Sequence, residues 1–259
     1  MLLVVDVGNT NTVIGAMADG TVRYRWRIST KSRTTDEFGM LLLGLIRFEK
    51  IDPEDFSGVC VSCVVPSVLY AIEKASRRYL NLEALVIGKG IRTGMRVRTD
   101  NPREVGADRI VNAVAAFERY KSPLVVVDFG TATTLDCVNS NGDYLGGAIA
   151  PGFQISAEAL FNKTAKLPKV EVDQTNTVIG KNTINSMQAG LFWGYVGLVD
   201  GLAARCKKEL QVLEEQKQVV RCIATGGLAN LIGKACTEID EIDNDLTLRG
   251  LWNLFQLNQ

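Results

Sequence analysis

The sequence predicts an α/β fold made of two related halves, in which strands alternate with helices. The segment LLVVDVGNTNTVIG begins at Leu2 and LVVVDFGTATTLDC begins at Leu124, so the two segments stand 122 residues apart in a chain of 259. Each is an apolar run followed by Asp-x-Gly and a turn rich in Thr or Asn. Strand-like runs and helix-period segments then alternate behind both copies, which is typical of layered α/β proteins.

Each copy also continues into a turn signal at the same offset. Asp19-Gly20 corresponds to Asn141-Gly142, and both dipeptides favour two-residue hairpin turns. A phrase and its own turn recurring in step indicate an internal duplication. We therefore predict that each half begins with three strands, of which the second and third form a hairpin.

The remaining elements of the first half follow in order. Thr34 and Glu37 have the spacing of a capping box and open a helix. The run FSGVCVSCVV predicts a buried strand, Pro66 begins a second helix, and EALVIG predicts another strand. Residues 105–120 carry apolar side chains at helical spacing and predict a third helix.

The second half repeats the opening of the first, with strands from Leu124 to Ile149. A long helix is predicted over residues 183–210, and VVRCIATGGLANLI predicts a strand, a glycine pair and the start of a helix. A last helix carries Leu248, Leu251, Trp252 and Phe255. The seam ERYKSP divides the halves, so the predicted domains are residues 1–118 and 119–259.

Four glycines, at positions 190, 194, 197 and 201, form one stripe on the predicted long helix. Gly costs about 1 kcal/mol against Ala inside a helix, so another element is expected to approach this face closely. Packing on another helix of the same chain and a seam between two copies of the chain are both open.

Composition argues against several classes of protein. Lys and Arg total 29, as do Asp and Glu, and the zero net charge argues against binding to nucleic acid. No apolar run approaches the ~20 residues of a membrane span. Six scattered cysteines fit a reduced, cytoplasmic setting, and Cys60 and Cys63 are expected on opposite faces of a strand as core residues. The chain has no His, which excludes His-based catalysis and His metal sites.

The two Asp-x-Gly turns are suited to hold phosphate. The glycine lets the backbone approach a ligand, and N–H groups with Thr or Asn side chains donate to phosphate oxygens. Neither turn contains Lys or Arg, so Asp6 and Asp128 are expected to act through bound cations. Turns that only close hairpins are the alternative for each copy. The sequence contains no GxxxxGK[ST] phosphate loop.

The segments DVGNTNT, NPREVGADR, DFGTAT, PGFQIS…TAKLP and GKNTINSMQAGLFWGYVGLVDG resemble the type III pantothenate kinase family, over nearly the whole chain. With the late ATGGLA turn, the duplicated units resemble the superfamily of sugar kinases, actin and heat-shock ATPases. The resemblance implies duplicated ribonuclease H-like (actin-like ATPase) domains, with mixed sheets flanked by helices and a cleft between them. It implies a homodimer that phosphorylates pantothenate with ATP, giving 4′-phosphopantothenate in the first step of coenzyme A biosynthesis.

The resemblance also implies roles for individual residues. Asp108 would be the general base on the pantothenate hydroxyl, Asp128 would bind K⁺ or NH₄⁺, and Asp6 would lie near Mg²⁺. The residues implied in ATP binding are Asp6, Val7, Gly8, Asn9, Thr10, Asn11, Thr12, Val13, Thr131, Gly226 and Gly227. Those implied in pantothenate binding are Gly106, Ala107, Asp108, Arg109, Thr183 and Thr99.

Each of these roles has a plainer alternative. Asp108 and Thr183 could be helix N-caps, Arg109 a surface ion pair, and Gly226-Gly227 a simple strand end. Thr99 stands where family members often carry a Tyr, so the pantothenate pocket loses aromatic packing area. The alternative functions are a phosphohydrolase or another small-molecule kinase on the same fold, and a regulatory accessory protein without enzymatic activity.

Overall fold

The computed structural model describes residues 1–171, 173–213 and 218–259. The chain divides into two units, one made of residues 1–94, 101–115 and 245–259, the other of residues 95–100 and 116–244. The predicted domains are continuous in sequence, whereas the two units are not. Residues 245–259 belong to the first unit, and residues 95–100 belong to the second.

The strands of the described chain are β1 (Leu2–Val7), β2 (Asn11–Ala18), β3 (Thr21–Ser29), β4 (Gly58–Cys63), β5 (Ala84–Val86), β6 (Leu124–Phe129), β7 (Ala132–Val138), β8 (Tyr144–Pro151), β9 (Arg221–Gly226) and β10 (Glu241–Ile242). The α-helices are α1 (Thr35–Phe48), α2 (Pro66–Leu80), α3 (Ala107–Tyr120), α4 (Phe153–Asn162), α5 (Thr183–Leu213), α6 (Ala229–Ile232) and α7 (Leu246–Leu257).

The sheet of the first unit has five strands in the order β3-β2-β1-β4-β5. Strand β1 lies at its centre, antiparallel to β2 and parallel to β4. Because side chains alternate along a strand, β1 serves two cores. Leu3 and Val5 pack with residues of α1 and α2, whereas Leu2 and Val4 pack with residues of α3 and α7.

The second unit repeats this arrangement, as the duplicated phrase predicts. Its five strands follow the order β10-β9-β6-β7-β8, with β6 antiparallel to β7 and parallel to β9. Its core joins the sheet to the long helix α5, through residues such as Val125, Val127, Phe192 and Val199. The duplicated fold of two mixed sheets flanked by helices is confirmed.

The local signals for helix α1 and strand β4 are confirmed. The Glu37 N–H donates to Thr34 Oγ1 at 3.3 Å and the Thr34 N–H donates to Glu37 Oε2 at 2.7 Å, which is a complete capping box. Cys60 and Cys63 of β4 lie in different cores, on opposite faces of the sheet. Burial raises the pKa of Cys60 to about 12, so its thiol stays protonated.

The two hairpins differ, although their turn signals look alike. Asp19 and Gly20 both have positive φ, at 52° and 72°, and form the predicted two-residue turn. The prediction for Asn141-Gly142 is wrong, because β7 ends at Val138 and β8 begins at Tyr144. Asn139 explains the longer connection, since its Oδ1 accepts from the N–H groups of Asn141 and Asp143.

The glycine stripe lies on an open face of α5. Gly190, Gly194 and Gly197 are exposed, and a Cβ added at any of them would meet no described atom within 4 Å outside the backbone of α5 itself. A Cβ on the half-buried Gly201 would meet only Arg205 of the same helix, at 3.3 Å from its Nη1. The predicted close approach is therefore not made by the described part of this chain. None of the helices in the described ranges is long and apolar enough to cross a membrane.

Candidate active site

The first candidate phosphate loop joins β1 to β2 in the first unit. The Gly8 N–H donates to the Asn11 carbonyl at 3.0 Å, and a Cβ on Gly8 would lie 3.2 Å from that oxygen. The side chains that follow, Asn9, Thr10 and Asn11, are exposed. The loop thus offers amide and hydroxyl donors to solvent at the carboxyl end of β1, as a phosphate site requires.

The residues that flank this loop are less exposed. Asp6 is half-buried on β1, and Val13 lies opposite it in the antiparallel ladder. Val7 is buried in the core, so only its backbone is available to a ligand. Thr12 is also buried, and its hydroxyl lies 2.9 Å from the hydroxyl of Thr30.

Two hydroxyl residues beside the repeated aspartates were not predicted. Ser62 pairs with Asp6 across the parallel strands β1 and β4, and Thr225 pairs with Asp128 across β6 and β9. Both are buried, and Ser62 Oγ has no hydrogen-bond partner among the described residues. A serine within the apolar run GVCVSCVV is the signal that could have indicated the first of them.

The Gly-Ala-Asp-Arg segment forms the start of α3. Asn101 caps the short 3₁₀ turn before it, with its Oδ1 accepting from the Arg103 N–H at 3.3 Å. Asp108 lies inside the first turn of α3, and its Oδ1 accepts from the Arg109 N–H at 2.9 Å. A Cβ on Gly106 would lie 2.5 Å from this same oxygen, so glycine leaves room for the carboxylate.

The surroundings of Asp108 favour its protonated form. Burial raises the pKa of this carboxyl, and the Arg109 N–H and the Arg109 charge oppose the shift only in part. A carboxylate that is partly withdrawn from water yet held by one backbone N–H is a stronger base than an exposed aspartate. Asp108 can therefore accept a proton closer to neutral pH.

The second candidate phosphate loop joins β6 to β7 in the second unit. The Gly130 N–H donates to the Ala132 carbonyl at 3.1 Å, so this turn is one residue shorter than the turn from Gly8 to Asn11. Asp128 and Thr131 on either side of Gly130 are half-buried. In both copies, therefore, a tight turn begins at a glycine that stands two residues after a half-buried aspartate, just beyond the end of the strand.

The Gly226-Gly227 turn lies against the end of β6. The Gly227 N–H donates to the Phe129 carbonyl at 3.0 Å, and Gly226 has φ of +96°. A Cβ on Gly226 would collide with Asp128 Oδ1 and lie 2.6 Å from the Phe129 nitrogen. The second unit thus brings Asp128 and the glycine turn into contact, and only glycine fits there.

Thr183 is the first residue of α5, but it is not the cap of that helix. Asn182 has this role, since its Oδ1 accepts from the Asn185 N–H at 2.8 Å. The exposed Thr183 instead lines a groove of about 560 Å³. The other lining residues are Leu160, Leu167, Ser186, Met187, Gly190 and Leu191.

Thr99 lies elsewhere in the second unit. A Cβ on Gly146 of β8 would lie 3.5 Å from its Cγ2. Its Oγ1 is buried and has no hydrogen-bond partner within the described ranges. Thr99 therefore presents a methyl group towards β8 and has a buried hydroxyl without a partner among the described residues.

Sequence comparisons agree on one family. The sequence model described as type III pantothenate kinase matches residues 2–205. A relative of that name from Syntrophotalea carbinolica is 55% identical over 260 residues, which cover 100% of both chains.

Solved structures share the fold at low identity. A protein of Campylobacter jejuni described as a Baf family transcriptional activator has a TM-score of 0.59 at 18% identity, covering 99% of this chain and 98% of its own. A ROK family glucokinase from Streptomyces griseus, solved with glucose and AMPPNP, has a TM-score of 0.52 at 11% identity, covering 97% and 98%. At these identities, the two similarities show a shared fold and nothing about function.

Proposed function

This chain belongs to the type III pantothenate kinase family, and we propose that it transfers the γ-phosphate of ATP to pantothenate. The product is 4′-phosphopantothenate, and the reaction is the first step of coenzyme A biosynthesis. The observation that carries the proposal within this chain is the half-buried carboxylate of Asp108, held at the start of α3 in the Gly-Ala-Asp-Arg motif of that family.

Asp108 is the proposed general base. The pantothenate hydroxyl gives its proton to the carboxylate while its oxygen forms a bond to the γ-phosphorus, and the bond to the bridging oxygen breaks to release ADP. The raised pKa of Asp108 suits this role, since the base is then matched more closely to neutral pH. The absence of His from the chain leaves a carboxylate as the natural base.

The two glycine turns are the proposed phosphate sites. The exposed side chains of Asn9, Thr10 and Asn11, together with Thr131 of the second copy, can donate to phosphate oxygens. Val7 and Val13 would contribute through their backbone. Gly226 and Gly227 would let adenosine approach the chain closely, because no side chain stands there.

Cations are proposed to complete the charge balance, since neither turn carries Lys or Arg. Asp6 would hold Mg²⁺ and Asp128 would hold K⁺ or NH₄⁺, and both residues offer the oxygen ligands that such ions prefer. When bound, the ions neutralise negative charge on the phosphates. The half-buried setting of both carboxylates supports the assignment.

Roles in pantothenate binding are proposed for residues at the start of α3, at the start of α5 and at Thr99. In the first unit, Gly106 and Ala107 give the substrate access to Asp108, and Arg109 pairs with the pantothenate carboxylate. In the second unit, Thr183 is available to bind the substrate because Asn182, not Thr183, caps α5. Thr99 offers a hydroxyl that has no partner among the described residues.

A homodimer in a cytoplasmic setting is part of the proposal. The open glycine stripe of α5 supports a second copy of the chain as its partner, since glycines that meet nothing in one chain still lower helix stability. All six cysteines are free thiols, which fits a reducing compartment.

The test is ATP consumption by the purified full chain with Mg²⁺, with and without pantothenate, in K⁺ or in Na⁺. We expect ADP formation that requires pantothenate and is faster in K⁺. ADP formation at the same rate with and without pantothenate would instead indicate a phosphohydrolase. Turnover with another alcohol but not with pantothenate would indicate a different small-molecule kinase.

A further inference from the structure

Thr30 lies directly behind the first glycine turn, just after β3. Its N–H donates to the Thr10 carbonyl at 2.9 Å, and its hydroxyl donates to the Gly8 carbonyl at 2.8 Å. One residue therefore binds both carbonyl oxygens that flank Asn9. Thr30 has no role in the function proposed above.

The direction of a third hydrogen bond follows from these contacts. A threonine hydroxyl has one proton, and Thr30 gives its proton to Gly8. At the 2.9 Å contact between the two hydroxyls, Thr12 must therefore be the donor. Thr12 is 2% exposed, so its hydroxyl is committed inside the protein and supports Thr30 rather than a phosphate group.

The geometry of the peptide unit gives this contact a consequence for ligand binding. In a trans peptide the C=O of one residue and the N–H of the next point in opposite directions. When Thr30 holds the Gly8 carbonyl on the protein side, the Asn9 N–H points away from Thr30. Carbonyl oxygens repel phosphate, whereas N–H groups attract it, so the orientation of this unit matters for an anion.

We propose that Thr30 is a positioning residue for nucleotide binding: its hydroxyl fixes the Gly8 peptide unit so that the Asn9 N–H is presented to a phosphate group. The inference rests on the proposed function, since it assumes that a nucleotide phosphate occupies the first turn. Thr30 itself touches neither phosphate nor the reacting atoms.

The second copy shows a close approach at the corresponding position, made without a hydroxyl. Gly152 stands at the same 122-residue offset from Thr30. A Cβ on Gly152 would collide with the Thr131 carbonyl and lie 2.8 Å from the Gly130 carbonyl oxygen. The same position therefore contacts the carbonyls of both glycine turns, with a hydroxyl in the first copy and bare backbone in the second.

The experiment compares Thr30→Val with Thr30→Ser in the full chain. Binding of Mg²⁺ with a non-hydrolysable ATP analogue is measured by calorimetry, and KM values are measured for ATP and pantothenate. We expect Thr30→Val to weaken analogue binding about tenfold and to raise the KM for ATP similarly, because two hydrogen bonds are lost. Thr30→Ser keeps the hydroxyl, so its affinity for the analogue and its KM for ATP should stay within about twofold of the wild-type values. The KM for pantothenate should also stay within about twofold of wild type in both variants.

Thr247→Val is the matched control. It removes a part-buried hydroxyl of the same unit, which donates to Asn112 Oδ1 at 2.7 Å, and it should lower thermal stability without changing analogue binding. If Thr30→Val fails to fold, Thr30→Ala replaces it.

Two results would overturn the inference. The first is analogue binding by the hydroxyl-free variant at the wild-type affinity. The second is equal weakening in Thr30→Ser, which would assign the effect to the methyl group. Wild type that binds the analogue but does not phosphorylate pantothenate would remove the proposed function while leaving the binding comparison decisive; wild type that does not bind the analogue would remove both.

Discussion

Asp108 Oδ1 and the backbone nitrogen of Arg109 lie 2.9 Å apart, and this hydrogen bond holds the Asp108 carboxylate in the first turn of α3. The helix N-terminus and the Arg109 charge stabilise the ionised form, but burial outweighs both and raises the pKa. Gly106 makes the arrangement possible because a Cβ there would lie 2.5 Å from the same oxygen.

The raised pKa of Asp108 predicts the pH dependence of catalysis. The base must be ionised, so log kcat/KM for pantothenate should fall with unit slope as pH drops through that pKa, at a midpoint above the ~3.9 of an ordinary aspartate. The chain has no His, so an acid limb cannot arise from an imidazole of the enzyme. A flat profile down to about pH 4 would contradict the assignment.

The same shift predicts a gain in stability when the charge is removed. A carboxyl whose pKa is higher in the folded than in the unfolded state destabilises the fold at pH values above both, and the penalty disappears as pH falls below both. Asp108→Asn should therefore raise Tm at neutral pH, by about 2–4 °C per kcal/mol recovered, and the difference should shrink in acid.

Asp52→Asn is the control for that measurement by thermal denaturation. Asp52 Oδ1 accepts from the Glu54 N–H at 3.0 Å, and asparagine caps a helix about as well, so Tm should not change. An Asp108→Asn protein that melts below wild type at neutral pH would rule out the burial penalty.

Gly226→Ala should disrupt the glycine turn that lies against Asp128 and the end of β6. Its φ of +96° is unfavourable for alanine, and the added Cβ would meet Asp128 Oδ1 and the backbone of Phe129. We expect a loss of about 1–3 kcal/mol in unfolding free energy, measured by denaturant titration, together with weaker ATP binding. Gly44→Ala, on the exposed face of α1, should stabilise by about 0.5–1 kcal/mol instead. Equal effects of the two substitutions would refute this account of Gly226.

Gly194→Lys tests the dimer. A long charged side chain on the open stripe of α5 should weaken association of two copies by more than about tenfold, seen as monomer in sedimentation velocity. Gly44→Lys on α1 adds the same side chain outside the stripe and should leave the oligomeric state unchanged. A Gly194→Lys protein that sediments as wild type would place the seam elsewhere.

The sequence was informative where the signal is local or repeated. The recurrence of Leu2–Gly15 at Leu124 predicted two sheets of the same topology, because apolar strands and their turns follow short-range rules. Thr34 and Glu37 predicted the start of α1 for the same reason: both bonds of the capping box join residues three positions apart.

Other features depend on contacts between distant residues. Helix α4 was not predicted, since Phe153 is its only buried residue and its apolar periodicity is weak. Thr30 binds the Gly8 carbonyl across 22 positions, which no periodicity reveals. The addition of residues 245–259 to the first unit likewise depends on tertiary packing of Leu248 and Leu251 against Val4.

The central claim is that Asp108 acts as the general base in phosphoryl transfer from ATP to pantothenate. The most direct measurement is the yield of 4′-phosphopantothenate by mass spectrometry, alongside ADP, for wild type and Asp108→Asn with MgATP and K⁺. We predict one phosphorylated product per ADP in wild type, and a rate lower by about 10²–10⁴ in the variant with analogue binding retained. ADP without phosphopantothenate, or an Asp108→Asn variant as fast as wild type, would contradict the claim.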